Sequence, residues 1–336
     1  MLQFTVRRSM LAVPTLLFIS LVIFLLLELA PGDPMAQVPL TVPQEVKEKM
    51  RLALGLGEPV HVRFWKWIVQ FFWIEPQVLM DHIFGTTFSE GKLRVVSWQT
   101  RSPVMEIVIQ RIPQTLWVVG VAYIVGILIA IPIGIYSAYR QYSVFDQAGT
   151  FISMVGYSVP PFFSGVLVIV IFSVNLGWFP SIYDTTHVVN DWASFKVQLN
   201  QMIMPVMVLA LQITAQISRF MRASMLDNLN QDYVRTARAK GLREAIVINK
   251  HALRNAMIPI VSNLGLQVAG FVGWVVLVEA VFALEGIGAL IVRGALLRDF
   301  AVLQFGIIVW AAVVVAANLL VDVIYTLLDP RVRIVK

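Results

Sequence analysis

Long apolar runs alternate along this chain with short polar islands. The first run covers residues 10–30, and roughly 20 apolar residues is the length of a bilayer-crossing helix. Similar runs predict membrane helices over 113–136, 148–174, 202–218, 260–284 and 301–328. Two islands are large. Residues 31–112 mix charges with aromatic side chains, crowding Phe64, Trp65, Trp67, Phe71, Phe72 and Trp73 into 62–74. Val46, Met50 and Leu54 fall on one face of a short predicted helix within it. The island reads as a small subdomain outside the cytoplasm, with tryptophans at the membrane interface. A docking surface for a soluble binding protein is the other reading.

The second large island is 219–259, basic and polar between the fourth and fifth spans. Its core reads as two helices with their punctuation. Asp232 is a candidate N-cap for a helix over 233–240. Arg238 and Lys240 sit in its last turn, where cations suit the helix dipole. Gly241 follows where a left-handed residue ends a helix. A second helix is expected from 243 to 259, limited by Pro259. Ala237 and Ala239 keep the first helix slim and Tyr233 offers an apolar anchor, so the pair suits a partner's groove. An amphipathic segment lying on anionic lipid heads is the alternative.

Polar residues inside the spans are few. Ser158, Pro160 and Pro161 interrupt the third span, a break of the kind met where backbone faces protein or a water-filled cavity. Gln212 and Gln216 lie one turn apart in the fourth span, and Asn263 and Gln267 in the fifth. These residues are candidates for a translocation path, with a simple packing kink as the competing account for the prolines and plain interhelical hydrogen bonding for the amide residues. Asn318 and Asp322 near the inner end of the sixth span favour interhelical bonding over gating.

Composition narrows the class. The 336 residues are 58% hydrophobic and 14% charged, with a mean hydropathy of +0.77; a soluble domain carries about 25% charged residues. The net charge of +6 does not point to nucleic acid, because its cations cluster at the ends of apolar runs. Arg7, Arg8, Arg140, the 219–259 island and Arg331, Arg333 and Lys336 all fall on one side of a six-span topology. That side is the cytoplasm, and both termini lie there. The expected order is a cytoplasmic start (1–9), the first span (10–30), the external subdomain (31–112), a cytoplasmic loop (137–147), an external loop (175–201), the cytoplasmic segment (219–259), a last external loop (285–300) and a cytoplasmic end (329–336). The first run is longer than a signal-peptide core of about 7–15 residues and lacks a small-x-small cleavage pattern.

There is no cysteine, no phosphate-cradling G-x-x-x-x-G-K-[ST] and no H-E-x-x-H. No charged residue or histidine falls in the middle of a predicted span, although ion- or proton-driven carriers place such groups there. No catalytic or metal site is expected. A stand-alone secondary carrier and a poreless scaffold fit less well than a transport subunit driven from outside the chain.

The 219–259 island resembles the cytoplasmic coupling segment of bacterial ABC-importer permeases. Arg235-Thr236-Ala237, Gly241 and His251-Ala252-Leu253-Arg254, followed by Asn255, read as the dipeptide, oligopeptide and nickel branch of that family. The general family signature has Glu-Ala-Ala where Arg235-Thr236-Ala237 stands. Leu29 to Pro34, Leu54 to Pro59, Tyr157 to Pro160, Glu279 to Phe282 with Gly286-Ile287-Gly288, Arg298-Asp299-Phe300, Asn318 to Asp322 and Asp329-Pro330-Arg331 extend the resemblance over the chain. Glu285 departs from it, standing where the family commonly has proline. The resemblance implies an all-α integral membrane protein with six transmembrane helices and a type I ABC-importer permease fold. It implies the first of two permeases in the bacterial inner membrane, importing peptides or a peptide-like solute. Nickel chelates, glutathione and oligosaccharides are the alternative cargoes. The implied partners are a second permease, two ATPase subunits that bind ATP and magnesium, and an extracytoplasmic solute-binding protein. Coupling to an ATPase would then fall on Asp232, Tyr233, Arg235, Thr236, Ala237, Arg238, Ala239, Lys240, Gly241 and Leu242. His251, Leu253, Arg254 and Asn255 would complete that contact.

Overall fold

The computed structural model describes residues 2–30, 43–53, 57–92 and 94–328. In order the helices are α1 (Leu2–Glu28), α2 (Gln44–Ala53), α3 (Val60–Val69), α4 (Glu75–Phe84), α5 (Val104–Tyr139), α6 (Val144–Ser158) and α7 (Pro161–Val168). They continue as α8 (Trp192–Leu229), α9 (Asp232–Ala239), the single turn α10 (Glu244–Ile246), α11 (Leu253–Val281), α12 (Ile287–Leu296) and α13 (Phe300–Leu328). Among the described residues, the π-helical stretches Gln70–Ile74 and Val247–Ala252 join neighbouring helices, and Ile169–Asn175 extends α7. Among the described residues there is no strand, only an isolated bridge between Val96 and Pro103. The architecture is that of an all-α membrane protein. Among the described residues, α1, α5, α8 and α13 are long and apolar enough to cross a bilayer, and two bent pairs bring the total to six if each pair is one span.

The span limits differ from the sequence reading in particular ways. α5 starts at Val104 and runs through Pro113, so the expected 112/113 boundary falls inside one helix. A proline removes a single N–H, which an apolar helix tolerates. α8 begins at Trp192, inside the expected external loop, because Asp191 and Ser194 form a capping box. α12 occupies much of the expected 285–300 loop. α11 does not stop at Pro259 but carries it in its second turn. The third span is no simple kink, since α6 and the helix after Pro160 diverge by 102°. The Pro31–Pro34 stop, Leu54 to Leu56, the shared face of Val46, Met50 and Leu54, and the C-terminal Asp329, Pro330, Arg331, Arg333 and Lys336 lie outside the described residues.

The chain forms two compact units. The first comprises Met1–Met10, Pro113–Gly288 and Val313–Lys336. α8 is its column: 72% of its most apolar stretch is buried, so its glutamines and serines meet protein rather than lipid. Small residues let the helices touch. An added Cβ at Gly126 would lie 2.6 Å from Ile213, and one at Gly134 2.5 Å from Met221. Such close approach is how helices associate in lipid, where burying apolar surface gives no net drive. Near the chain start, Arg8 pairs with Asp322 at 3.3 Å. The Asn318 side-chain oxygen Oδ1 packs over Gly265.

The second unit comprises Leu11–Ile112 and Ala289–Ala312. Its core joins Phe24, Trp67, Phe71, Val104, Val108, Phe305 and Ile308. Trp67 stacks on Phe71 with centroids 5.4 Å apart, and Phe71 meets Phe305 edge-on at 4.6 Å. The aromatic run thus packs as a core, with Trp65 and Trp73 left exposed. Asp299 fastens the unit. It accepts hydrogen bonds from the Ser97 hydroxyl, the Trp98 and Gln99 N–H groups and, as a helix cap, the Val302 N–H.

Candidate functional site

α9 rests on its own chain through two residues. Val234 and Ala237, three apart, are buried, and the face they share packs on the π-helical stretch Val247–Ala252, where Val247 and Ala252 are fully buried. Ala237 is therefore spent on internal support and is withdrawn from the expected partner-facing set. Leu253 and His251 are half-buried behind it. Asp232, Tyr233, Arg235, Thr236, Arg238, Ala239, Lys240, Gly241, Leu242, Arg254 and Asn255 are exposed. The face α9 turns outward is thus polar and cationic, with Tyr233 as its aromatic element. The Tyr233 hydroxyl donates to Asn228 at 2.6 Å, which steadies the ring.

The ends of α9 differ in how closely they follow expectation. Asp232 is not the cap but the first helical residue; Gln231 holds the cap position without a side-chain bond. Asp232 instead lies 3.5 Å from Arg235, one turn on. The C-terminus closes as a Schellman motif. Leu242 N–H donates to the Ala237 carbonyl and Gly241 N–H to the Arg238 carbonyl. Gly241 has φ +74°, a conformation that strains residues with a Cβ. Arg238 then bridges the turn to Glu244 at 2.7 Å, and that carboxylate holds the guanidinium pKa above its ordinary value.

The second feature is the break between α6 and α7. In an unbroken helix the Gly156 and Tyr157 carbonyls would accept from residues 160 and 161, and both are prolines without an N–H. Val159 turns extended, at φ −78° and ψ 123°. The buried Gln212 side chain fills the gap, its amide nitrogen donating to the carbonyls of Gly156 and Val159 at 2.8 and 2.9 Å. A hollow of about 620 Å³, lined by Met154, Ser158, Pro160 and Phe163 among others, opens at the break. Ser158 and Pro160 are exposed there, while Pro161 is buried. The structure so brings Ser158, Pro160, Pro161 and Gln212 together. Gln216 is half-buried one turn further along α8. Gln267 donates to Asn263 within α11, a pair hydrogen-bonded to itself rather than to the break.

Helices α6 and α8 are fastened at two more places, which sequence reading did not find. Arg222 grips the buried Asp146 with two bonds, 2.5 and 2.7 Å. Ser153 and Ser218 share a hydrogen bond of 3.1 Å. The Arg219 guanidinium also lies 4.7 Å from the Tyr157 ring centroid. On the other side, Ser224 donates to the Ala256 carbonyl on α11. Arg222 falls in the 219–259 island and Asp146 in the 137–147 loop. Nothing in their spacing ties residues 76 apart in the chain.

α9 is thus held out on a glycine-capped turn and follows α8, which is laced to the broken span. The family model for the binding-protein-dependent transport system inner membrane component matches residues 130–334. The chain belongs to that family. The N-terminal model of the same transport components matches residues 1–119 of this permease. It is 36% identical to the oligopeptide transport system permease protein AppB of Bacillus subtilis, over 99% of this chain and 100% of that one. It is 34% identical to the glutathione transport system permease protein GsiC of Salmonella paratyphi A, with 99% of each chain covered. A putative peptide transport system permease of Brucella abortus matches at 34%, over 97% of this chain and 98% of the other. The protein is a multi-pass inner-membrane permease of the ABC-importer type, a membrane component rather than an enzyme. Such a system includes ATPase and solute-binding proteins.

Proposed function

We propose that this permease imports peptides or a peptide-like solute such as glutathione, and that α9 takes the drive from an ATPase subunit. The names of its relatives support the cargo class. The observation that carries the coupling role is the way α9 is held. Its apolar residues Val234 and Ala237 face its own chain, and its exposed cations and Tyr233 face outward. ATP binding in the partner displaces α9, and α8 conveys the displacement to the break at Ser158–Pro160. The assembly has a second permease, two ATPase subunits and an extracytoplasmic binding protein. Both termini of this chain face the cytoplasm, because the cations of 219–259 lie on that side.

Gly241→Glu tests this reading. The assembled transporter, reconstituted with its binding protein, should keep hydrolysing ATP while solute uptake falls at least about tenfold, as a strained φ unwinds the end of α9. Uptake equal to wild type, or a purified permease that brings no ATPase with it, would refute the role given to α9.

A further inference from the structure

A cavity of about 540 Å³ lies within the second unit. Phe24 and Leu27 of α1, Trp67 of α3, Gln304 of α13, and Arg94 and Glu58 from the intervening segments are among the residues that form its wall. Among the described residues, four polar atoms in that wall are buried without a partner: Trp67 Nε1, Gln304 Nε2, Arg94 Nε and Glu58 Oε2. The Trp67 and Gln304 residues are only 6% and 7% exposed. Native proteins rarely leave several such atoms unmatched around one space, so a ligand or water is expected to meet them.

The chemistry of the wall selects among ligands. It offers three unmatched N–H donors against one unmatched carboxylate oxygen. A peptide brings backbone donors and acceptors in equal number and would leave its own N–H groups unmatched here. Phosphodiester and glycerol-ester oxygens accept only. The surroundings also suit an amphiphile. Leu21, Val22, Leu25 and Leu26 make α1 apolar and exposed just below Phe24 and Leu27, and α1 is long enough to span a bilayer. At the polar end, Lys66 pairs with Glu58, and Arg63 with Glu28 at 2.6 Å.

The geometry points to a phospholipid site: phosphate and ester oxygens meet Trp67, Gln304 and Arg94, an ethanolamine ammonium meets Glu58, and the acyl chains follow α1. The assignment rests on the placement of α1 in the membrane and not on the cargo. The single unpaired carboxylate oxygen favours a cationic headgroup over glycerol.

The whole transporter, washed through lipid-free micelles, is examined by native mass spectrometry. Wild type should retain phosphatidylethanolamine, and the double variant Trp67→Phe with Gln304→Leu, which removes two donors and keeps the bulk, should retain about tenfold less. If the pair does not assemble, each single variant is measured alone, with about a threefold loss expected. Exchange against vesicles of phosphatidylethanolamine and phosphatidylglycerol should show a preference for the amine in wild type that Glu58→Gln erases. Equal retention by wild type and variants, detergent held in place of lipid, or a headgroup preference untouched by Glu58→Gln overturns the assignment. Uptake measured in parallel separates the outcomes, because a failed coupling reading leaves lipid retention unchanged.

Discussion

Each of the two units has its own kind of internal contact. In the first, helices meet through glycines and a few directed polar bonds: Asp146 to Arg222, Ser153 to Ser218, Gln212 to two carbonyls. In the second, the core is aromatic, with Phe24, Trp67, Phe71 and Phe305 packed together. Between helices in lipid there is no hydrophobic gain, so contact relies on close packing and hydrogen bonds. Phe24 and Phe305 stand on α1 and α13, both long and apolar enough to cross a bilayer, so their rings too gain mainly from packing, in the tilted and edge-on arrangements that aromatic pairs prefer. The consequences differ too. Directed bonds break and re-form as discrete states. A close-packed aromatic core resists small displacement.

That contrast can be broken from either side. Phe305→Ala, at a fully buried position, should cost about 3–5 kcal/mol. It should lower the unfolding midpoint in detergent steeply while leaving ATP coupling intact in the fraction that folds. Arg222→Met strands the carboxylate of Asp146, which is 3% exposed. Breaking a buried pair costs about 3–5 kcal/mol; the Arg222 side chain is 27% exposed, so the low end applies. Here uptake per ATP hydrolysed should drop as well as stability, and the reversed pair Asp146→Arg with Arg222→Asp should restore part of both. Gln212→Leu leaves two carbonyls at the break without donors and should cost about 1–3 kcal/mol. Its clearest sign would be faster deuterium exchange at 155–165 than elsewhere in α6 and α8. Lys66→Ala removes an ion pair whose side chains are 57% and 35% exposed. It should shift the midpoint by no more than about 1 kcal/mol. A Lys66 effect as large as that of Phe305 would mean that the second unit is not held by its aromatic core.

Much of this was legible beforehand, and the gaps have a common cause. Spans announce themselves because apolar length is a local property. So does the turn at Gly241, where one residue type suits a left-handed backbone. The Pro160-Pro161 pair marked where α6 would end, but not the angle of 102° at which the next helix departs. Nor did it show that Gln212, more than fifty positions away in the chain, would meet the carbonyls at that break. Pro259 signalled a stop and none came, because α11 runs on through it. Ala237 looked free because smallness suits a partner's groove and a chain's own support equally well. The aromatic run at 62–74 carried no hint that Phe305 would complete its core.

The turn that closes α9 has one last consequence. Among the described residues, no atom beyond its two chain neighbours lies within 4 Å of where a side chain at position 241 would begin, so the chain leaves room there, and the obstacle is one of handedness. A mirror-image alanine, introduced by chemical synthesis, would sit there at ease where its natural counterpart is strained. At this joint chirality, rather than bulk, decides what the chain accepts.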